Sequence, residues 1–503
     1  MGDAEVRRRR ELFRIEEFAR IYDRRTGKFT VNIRYQTKTD ITPRTIGVAE
    51  AFGLGVDEYK EHVIYDNASF DIGPTDIVLI TGESGSGKSV LLRTFERDLG
   101  DEAINIENVP VDPEKPIIET VGRSLEEGLE LLSRVGLNDA YLFLRRYREL
   151  SDGQRYRYRI AKLIESSETG KQYWVMDEFC STLDRETAKI VAFNVQKQAR
   201  RISRAVIVAT THMDLLEDFG PSVHIHKGWG KRLEVRYFPN NLRQVCTVAR
   251  GFGIEEGSME DYKRLAEFHY RNPETHAPVL KIYVLRREDQ EPVGVILYSW
   301  PPINCSGRRK ALGTHLSIRE VNEKVAAISR VILHPKYRSI GLGATLVKET
   351  MPLIGRPYVE AMAVMARYNS FFEKAGMRKI EERRPPRTIL RAIEELEKLG
   401  FKPYLLASSQ SNLGRLKRLS KEDTEKMREI LSSTGYYKRL QASNDAFVTR
   451  QAFKEWLAMK GPAEIAKVIS RLAVLAEPKV YLFWENPYLS CDDEALMLPR
   501  RVC

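Results

Sequence analysis

The sequence predicts an α/β protein with two sheet-containing units in series, and three observations predict it. Apolar strand-like runs alternate with helical stretches from about residue 46 to 238, the pattern of a parallel sheet with helices on its faces. A glycine-rich run, GESGSGKS at Gly82–Ser89, directly follows one of those strands and opens a helix. A second glycine turn, HPKYRSIGLGATLV at His334–Val347, repeats the strand–turn–helix order about 250 residues later.

Four segments follow in order. Residues 1–45 are a basic N-terminal extension with one strand-like run, FTVNIRYQT. Residues 46–238 hold the strands DIVLIT, YWVMDE and AVIVATTH with helices between them. Residues 239–385 hold VLKIYVLRRE, PVGVILYSW and EKVAAISRVILHP, then the second glycine turn and a helix. Residues 386–503 mix the helices RTILRAIEELEKLG, KEDTEKMREILSS and AEIAKVISRLAVLAE with one strand, KVYLFWENP. That strand either completes the second unit or belongs to a small third one. A chain of 503 residues suggests three domains, give or take one.

Composition narrows the function. No stretch of about 18 apolar residues appears, so the sequence predicts no membrane span. The start, MGDAEVRRRRELF, lacks an apolar signal region and reads as cytoplasmic. Cys180, Cys246, Cys305, Cys491 and Cys503 are scattered, with no C-x-x-C pair to suggest a zinc site or a disulfide framework. The formal charge of +11 favours anionic partners such as nucleic acid, nucleotides or CoA. The same excess of Lys and Arg equally fits a solvated surface.

GESGSGKS fits G-x-x-x-x-G-K-[ST], and its strand–loop–helix setting is the one that motif requires. The backbone N–H groups of Gly82, Glu83, Ser84, Gly85, Ser86 and Gly87 can wrap phosphates, aided by the dipole of the helix that follows. Lys88 is placed to reach the β- and γ-phosphates, and the Ser89 hydroxyl to hold Mg²⁺. The strand YWVMDE ends in Asp177, a second magnesium ligand, and Glu178, which can orient or deprotonate an attacking water. LSDGQ at Leu150–Gln154 precedes a helix, STLD at Ser181–Asp184 follows Glu178, and His212 ends the strand AVIVATTH, within reach of a γ-phosphate.

Across about 190 residues this series resembles the ATP-binding cassette (ABC) family. LSDGQ resembles its LSGGQ signature with Asp152 for the first glycine, STLD its D-loop, and His212 its switch histidine. The resemblance implies that Leu150, Ser151, Asp152, Gly153 and Gln154, with Asp184, close over ATP held by another copy, and hence a homodimer with two shared ATP sites. Two departures stand out. The family's glutamine loop reads NVPVDPEKPIIETVG here and has no glutamine, leaving Asp112 or Glu114 as substitutes. Only about 60 residues separate Lys88 from Leu150, short for a transporter cassette. The cassette therefore resembles the soluble kind, whose ATP-driven closure grips a nucleic acid or a large assembly.

In the second turn, Arg338-x-x-Gly341-x-Gly343 opens a helix after a strand. The run Leu333–Arg338 resembles the "V-x-P-x-Y-R" run of the GNAT acetyltransferase family, and Phe372–Met377 resembles its "Y-E-K-x-G-F" segment. Glycines here let backbone N–H groups approach a CoA pyrophosphate at a helix N-terminus, and Arg338 can add a charge-assisted contact. The resemblance places acetyl-CoA along Ile332, Leu333, Arg338, Ser339, Ile340, Gly341, Leu342, Gly343 and Ala344. The tyrosine that many relatives use as general acid is Phe372 here, so Tyr368, one turn earlier, is the candidate acid. Glu323 or Ser329 is the candidate proton relay.

The fold class implied is α/β: an ABC-type P-loop ATPase domain, then a GNAT-like acyltransferase domain, then a mixed α/β C-terminal extension. The architecture resembles a prokaryotic, mostly archaeal group that fuses such an ATPase to a predicted acetyltransferase. Basic residues interleave with aromatics at Arg145, Arg146 and Arg148 and through Arg155–Arg159, and further basic patches lie at Arg7–Arg10, Arg308–Lys310 and Arg415–Arg418. Three functions stay open: acylation of an amino group on nucleic acid, RNA before DNA; acylation of a protein or small amine under an ATP-sensing cassette; or a non-catalytic, ribosome-associated ATPase.

Overall fold

The computed structural model describes residues 14–23, 25–36, 41–54, 61–167, 170, 172–242, 245–269, 278–287, 291–441 and 449–489. The Arg7–Arg10 patch, Cys491 and Cys503 lie outside them. The chain divides into two compact units. One takes Met1–His276, Ile282–Ile296 and Val331–Leu346; the other takes Ala277–Lys281, Leu297–Arg330 and Val347–Cys503.

In the first unit, β1 (Arg14–Asp23) and β2 (Lys28–Gln36) form an antiparallel sheet with β3 (Glu61–Asp71), and α1 (Pro43–Phe52) lies between β2 and β3 in sequence. The chain then enters β4 (Ile77–Gly82), α2 (Lys88–Leu99), β5 (Ala103–Asn105), α3 (Leu125–Arg134), α4 (Ala140–Phe143) and α5 (Asp152–Ser166). β6 (Tyr173–Met176), α6 (Arg185–Arg201), β7 (Ala205–Thr210), α7 (Leu216–Phe219), β8 (Val223–Lys227) and β9 (Leu233–Tyr237) follow. A six-stranded sheet results, in the order β5-β6-β7-β4-β8-β9, parallel except for β9.

The apolar alternation in β4 shows why this sheet is central. Ile77 and Leu79 join one core with Ile160 and Ile164 of α5 and Val191 and Val195 of α6. Val78 and Ile80 join another with Leu91 and Phe95 of α2 and Phe29 and Phe70 of the antiparallel sheet. A strand buried on both faces reads as a continuous apolar run, and all six residues of β4 are buried. Each Leu or Phe so buried contributes about 1.5–3 kcal/mol.

Downstream come β10 (Gly253–Glu256), α8 (Met259–Ala266), β11 (Val279–Arg286), β12 (Gly294–Ser299), α9 (Ser306–Leu312), α10 (Ile318–Lys324) and β13 (Val325–Leu333). Then follow α11 (Leu342–Thr350), β14 (Tyr358–Ala363), α12 (Phe371–Lys374) and β15 (Arg378–Arg383). The last stretch is α13 (Arg387–Lys398), α14 (Ser409–Leu416), α15 (Lys421–Ser432), α16 (Tyr437–Gln441), α17 (Arg450–Met459), α18 (Pro462–Leu475) and β16 (Lys479–Glu485). A seven-stranded sheet runs β10-β11-β12-β13-β14-β16-β15. The strand KVYLFWE therefore enters between β14 and β15, antiparallel to both, and so completes the second sheet. Helices α13–α18 close on their own core, with Ile389, Leu396, Leu431, Phe453 and Leu472 inside.

Two basic patches are not free surface. In RYRYR, Tyr158 is fully buried with its hydroxyl 2.7 Å from Thr120 Oγ1, and the Tyr156 hydroxyl points at Met176 Sδ. Alternate residues on a helix fall on different faces: Tyr158 is buried in the core, whereas Tyr156 is only partly buried. Arg308, read as part of a surface run, is buried with its guanidinium paired bidentately to Glu360 at 3.0 and 2.7 Å, while Tyr481 donates to the same carboxylate at 2.7 Å. Tyr158 and Arg308 are thus withdrawn from the solvated surface, because both have internal partners.

Candidate active site

The loop after β4 is shaped by three glycines at positive φ: Gly82 at 145°, Gly85 at 76° and Gly87 at 104°. A Cβ on Gly82 would sit 2.0 Å from the Lys227 carbonyl oxygen on neighbouring β8, and one on Gly87 would sit 2.6 Å from Ile64. Only glycine fits at either place. Lys88 opens α2 and folds its ammonium back onto the carbonyls of Gly82 and Glu83 at 2.9 and 2.7 Å. Burial pulls the Lys88 pKa below its ordinary value, opposed by the charge of Asp177. Ser86 Oγ is buried with no hydrogen-bond partner among the described residues, a polar atom of the kind a phosphate oxygen satisfies.

The two candidate metal donors meet. Ser89 Oγ donates to Asp177 Oδ1 at 3.0 Å, and the Glu178 N–H donates to the same oxygen at 2.9 Å. Two hard oxygen donors at a glycine loop fit Mg²⁺, which is held by one or two protein oxygens plus phosphates. Glu178 is exposed and sits at φ 46°, in the left-handed region, a conformation that costs a non-glycine residue free energy. His212 follows β7, its N–H bonded to Thr210 Oγ1 at 3.2 Å. Burial and the Arg185 charge push its pKa down, against Asp214, which keeps the imidazole neutral near pH 7.

Leu150 is buried, while Ser151 and Asp152 are exposed at the start of α5. The Ser151 N–H donates to Gln154 Oε1 at 3.0 Å. Asp184 caps α6, accepting from the Thr187 N–H at 3.1 Å. The two candidates for the missing glutamine have local partners: Asp112 pairs with Lys115, and Glu114 with Arg146 and Arg148. Sequence reading missed two neighbours of the loop. Lys227 is fully buried with its ammonium on the Gly228 carbonyl at 2.7 Å, and the Trp229 indole N–H donates to Glu83. Nothing local in HKGWGK signals either contact.

The second glycine turn joins β13 to α11. β13 pairs with β14 only through Val325–Ile328 against Tyr358–Ala361, so the backbone from Ser329 to Leu333 has no β14 partner along that edge. Gly341 has φ 97° with open space where a Cβ would stand, and Ala344 and Thr345 donate to its carbonyl as α11 begins. The first N–H groups of a helix lack intrahelical acceptors, which suits a pyrophosphate. Arg338 turns elsewhere: its guanidinium donates to the carbonyls of Leu333, Asn138 and Phe268 at 3.0, 3.0 and 3.2 Å. A contact from Arg338 to a ligand would cost those bonds.

The second unit holds the other candidates. Ser329 Oγ donates to the Leu297 carbonyl at 3.2 Å and lies 2.8 Å from Ser299 Oγ. Glu323 is exposed and paired with Arg319 at 2.8 Å. Tyr368 is half-buried with Arg367 against its ring and hydroxyl, and Phe372 is buried against Phe371.

These features describe a mixed α/β chain whose first part resembles the P-loop domain of ATP-binding cassettes and whose later part resembles a GNAT domain. The comparisons bear on each part. A model of the acetyltransferase (GNAT) family matches residues 242–368. The cytochrome c biogenesis ATP-binding export protein CcmA of Gluconobacter oxydans is 28% identical over 172 residues, 31% of this chain and 77% of that protein. The protein of the same name from Bartonella quintana is 27% identical over 179 residues, 30% of this chain and 83% of its own. A solved dimeric ATP-binding cassette in a post-hydrolysis state, bound to ADP and Pi, is 20% identical over 36% of this chain and 94% of its own, with a TM-score of 0.29. No described helix is long and apolar enough to cross a membrane.

Proposed function

We propose that the chain hydrolyses MgATP at Gly82–Ser89 and transfers the acyl group of acetyl-CoA, held at Ser339–Ala344, to an amine. One observation carries this: the strand–glycine loop–helix unit is built twice, and among the described residues the first copy alone brings candidate metal donors, Ser89 and Asp177, together beside it.

At the first loop, Ser89 and Asp177 are the residues that would hold Mg²⁺, which would supply charge neutralisation at the phosphates. Lys88 leaves the Gly82 and Glu83 carbonyls for the β- and γ-phosphates. Glu178 takes the proton of the attacking water, and neutral His212 donates to the γ-phosphate. Residues Leu150–Gln154 and Asp184 complete the site of a second copy, so the working form is a homodimer. At the second loop, the backbone N–H groups of Gly341–Ala344 hold the pyrophosphate. The unpaired edge of β13 near Ile332 and Leu333 aligns the thioester, and its N–H groups steady the carbonyl oxygen. Tyr368 returns a proton to the departing thiolate. Glu323 is engaged with Arg319 at the surface, so deprotonation of the amine is assigned to water along Ser329.

The acceptor we propose is an amino group on RNA in the cytoplasm, supported by the net charge of +11 and by Arg309, exposed on α9. Purified protein given radiolabelled acetyl-CoA, with and without MgATP, and whole-cell RNA, DNA and protein fractions tests this reading. Label in a ribonuclease-sensitive fraction is the expected result. Label confined to protein or polyamines would overturn the acceptor, and no label anywhere would overturn acyl transfer.

A further inference from the structure

The second glycine turn is gripped by the helix that follows the ATPase carboxylates. Lys336 Nζ lies 2.9 Å from Asp184 Oδ1 and 2.9 Å from Glu186 Oε2. The Tyr337 hydroxyl donates to Glu186 Oε2 at 3.0 Å, and Arg287 pairs with Glu186 Oε1 at 2.7 Å. About two turns further on, Asn194 of α6 donates to Ser339 Oγ at 2.7 Å. Ser339 is at φ 77°, a left-handed conformation that a serine keeps only where its surroundings impose it. Four consecutive residues of the turn, 336 to 339, are therefore fixed by first-unit side chains or carbonyls outside the turn.

The other end of that grip is Glu178. The Ser181 N–H donates to the Glu178 carbonyl at 3.0 Å, the Leu183 N–H to the Cys180 carbonyl at 3.3 Å, and Asp184 then caps α6. Glu178 and Cys180 are both non-glycine residues at positive φ, 46° and 59°. Strained backbone of this kind relaxes when its constraints change. A short strained turn thus connects the water-handling carboxylate to the two carboxylates that hold Lys336. Burial alone would raise the pKa values of Asp184 and Glu186; the bonds from Thr187 and Lys336 to one, and from Lys336, Arg287 and Tyr337 to the other, hold both at about 2. Both are fully charged in the working range.

We propose that Glu186, together with Asp184, is a positioning residue for the acyl-CoA loop, through which occupancy of the ATP site sets the affinity for acyl-CoA. This rests on the two-ligand reading above. Glu186 touches neither ligand; it acts through Lys336, Tyr337 and Arg287. Coupling between two sites is reciprocal: if ATP changes acyl-CoA affinity by some factor, acyl-CoA changes ATP affinity by the same factor.

The test is calorimetric titration of the full chain with acetyl-CoA, with and without a saturating non-hydrolysable ATP analogue and Mg²⁺, and then the reverse titration. For the wild type we expect the two Kd ratios to agree and to lie at about 5–150-fold. In Glu186→Ala and in the isosteric Glu186→Gln, the ratio is expected to fall to within about twofold of one, with the analogue alone binding as in the wild type. Glu186→Gln keeps the side-chain shape, so loss of coupling with an unchanged melting profile separates positioning from a folding defect. A wild-type ratio of one with both ligands bound would sink this inference and leave the proposed function standing. A wild-type ratio retained in Glu186→Gln would sink it equally. Failure of the wild type to bind either ligand would instead sink the proposed function.

Discussion

The two glycine loops follow one plan and are held in different ways. The loop at Gly82–Ser89 is held by its own residues and its sheet neighbours. Lys88 lies across the Gly82 and Glu83 carbonyls, Tyr65 donates to the Gly87 carbonyl at 3.0 Å, and β8 presses its backbone against Gly82. The turn at 336–341 has no such internal lysine. Its arginine is engaged with the carbonyls of Leu333, Asn138 and Phe268, and its lysine and tyrosine with carboxylates of α6. The first cradle is held by its own lysine, by β8 of its sheet and by Tyr65 of the neighbouring antiparallel sheet. The second takes its shape from the element that follows Glu178, which makes its geometry contingent on the first.

The largest expected effect separates the two chemically. Glu178→Gln should lower ATP hydrolysis by about 10²–10⁴-fold, the range for removal of a general base, while ATP still binds. Acyl transfer measured without ATP should stay at its wild-type rate. Phosphate release and label transfer on one preparation check both, and a matching loss of ATP-free transfer would break the separation. Next comes the same substitution made in both loops. Gly82→Ala places a Cβ 2.0 Å from a backbone oxygen, so β4 or β8 must move. Overpacking of this kind costs about 1–3 kcal/mol; a lower Tm and loss of measurable ATP binding are expected. Gly341→Ala has open space for its Cβ but needs φ 97°. A left-handed alanine costs about 1–2 kcal/mol, which corresponds to about tenfold weaker acetyl-CoA binding. Equal effects of the two alanines would mean that the loops are held alike after all.

The same contrast explains what the sequence could reveal. GESGSGKS and MDE were legible as a turn and a strand end because each is contiguous: the glycines take positive φ, and Ser89 and Asp177 meet in one hydrogen bond. The parallel sheet was legible because β4, β6 and β7 are apolar on both faces. HPKYR was legible as a turn before a helix, but nothing near Lys336 says that Asp184 and Glu186 are its partners, since pairing between remote segments leaves no local mark. The same blindness covers Arg308, whose partner Glu360 lies on another strand, and β16, legible as a strand but not as the one between β14 and β15. In RYRYR the interleaved basic and aromatic residues gave no sign that Tyr158 turns into the core.

The smallest expected effect is the most direct reading of that grip. Asp184 and Glu186 ordinarily titrate at 3.8 and 4.5 and are held at about 2 in the folded chain. A carboxylate whose folded pKa is depressed contributes stability above its unfolded pKa and loses it as pH falls toward the folded one. The contribution is therefore complete above about pH 4.5 and disappears between there and about pH 2. Glu186→Gln cannot titrate, so the Tm difference between wild type and this variant isolates the Glu186 share. That share is on the order of 1 kcal/mol at most, because the carboxylate is about one-third exposed and partly screened. The difference should be constant from pH 8 to 5, shrink as pH falls below 4.5, and shrink as well when salt is added at pH 7. A difference that grew on acidification would mean that Glu186 is held by something other than the cations of Lys336 and Arg287, and the second cradle would then stand as independently as the first.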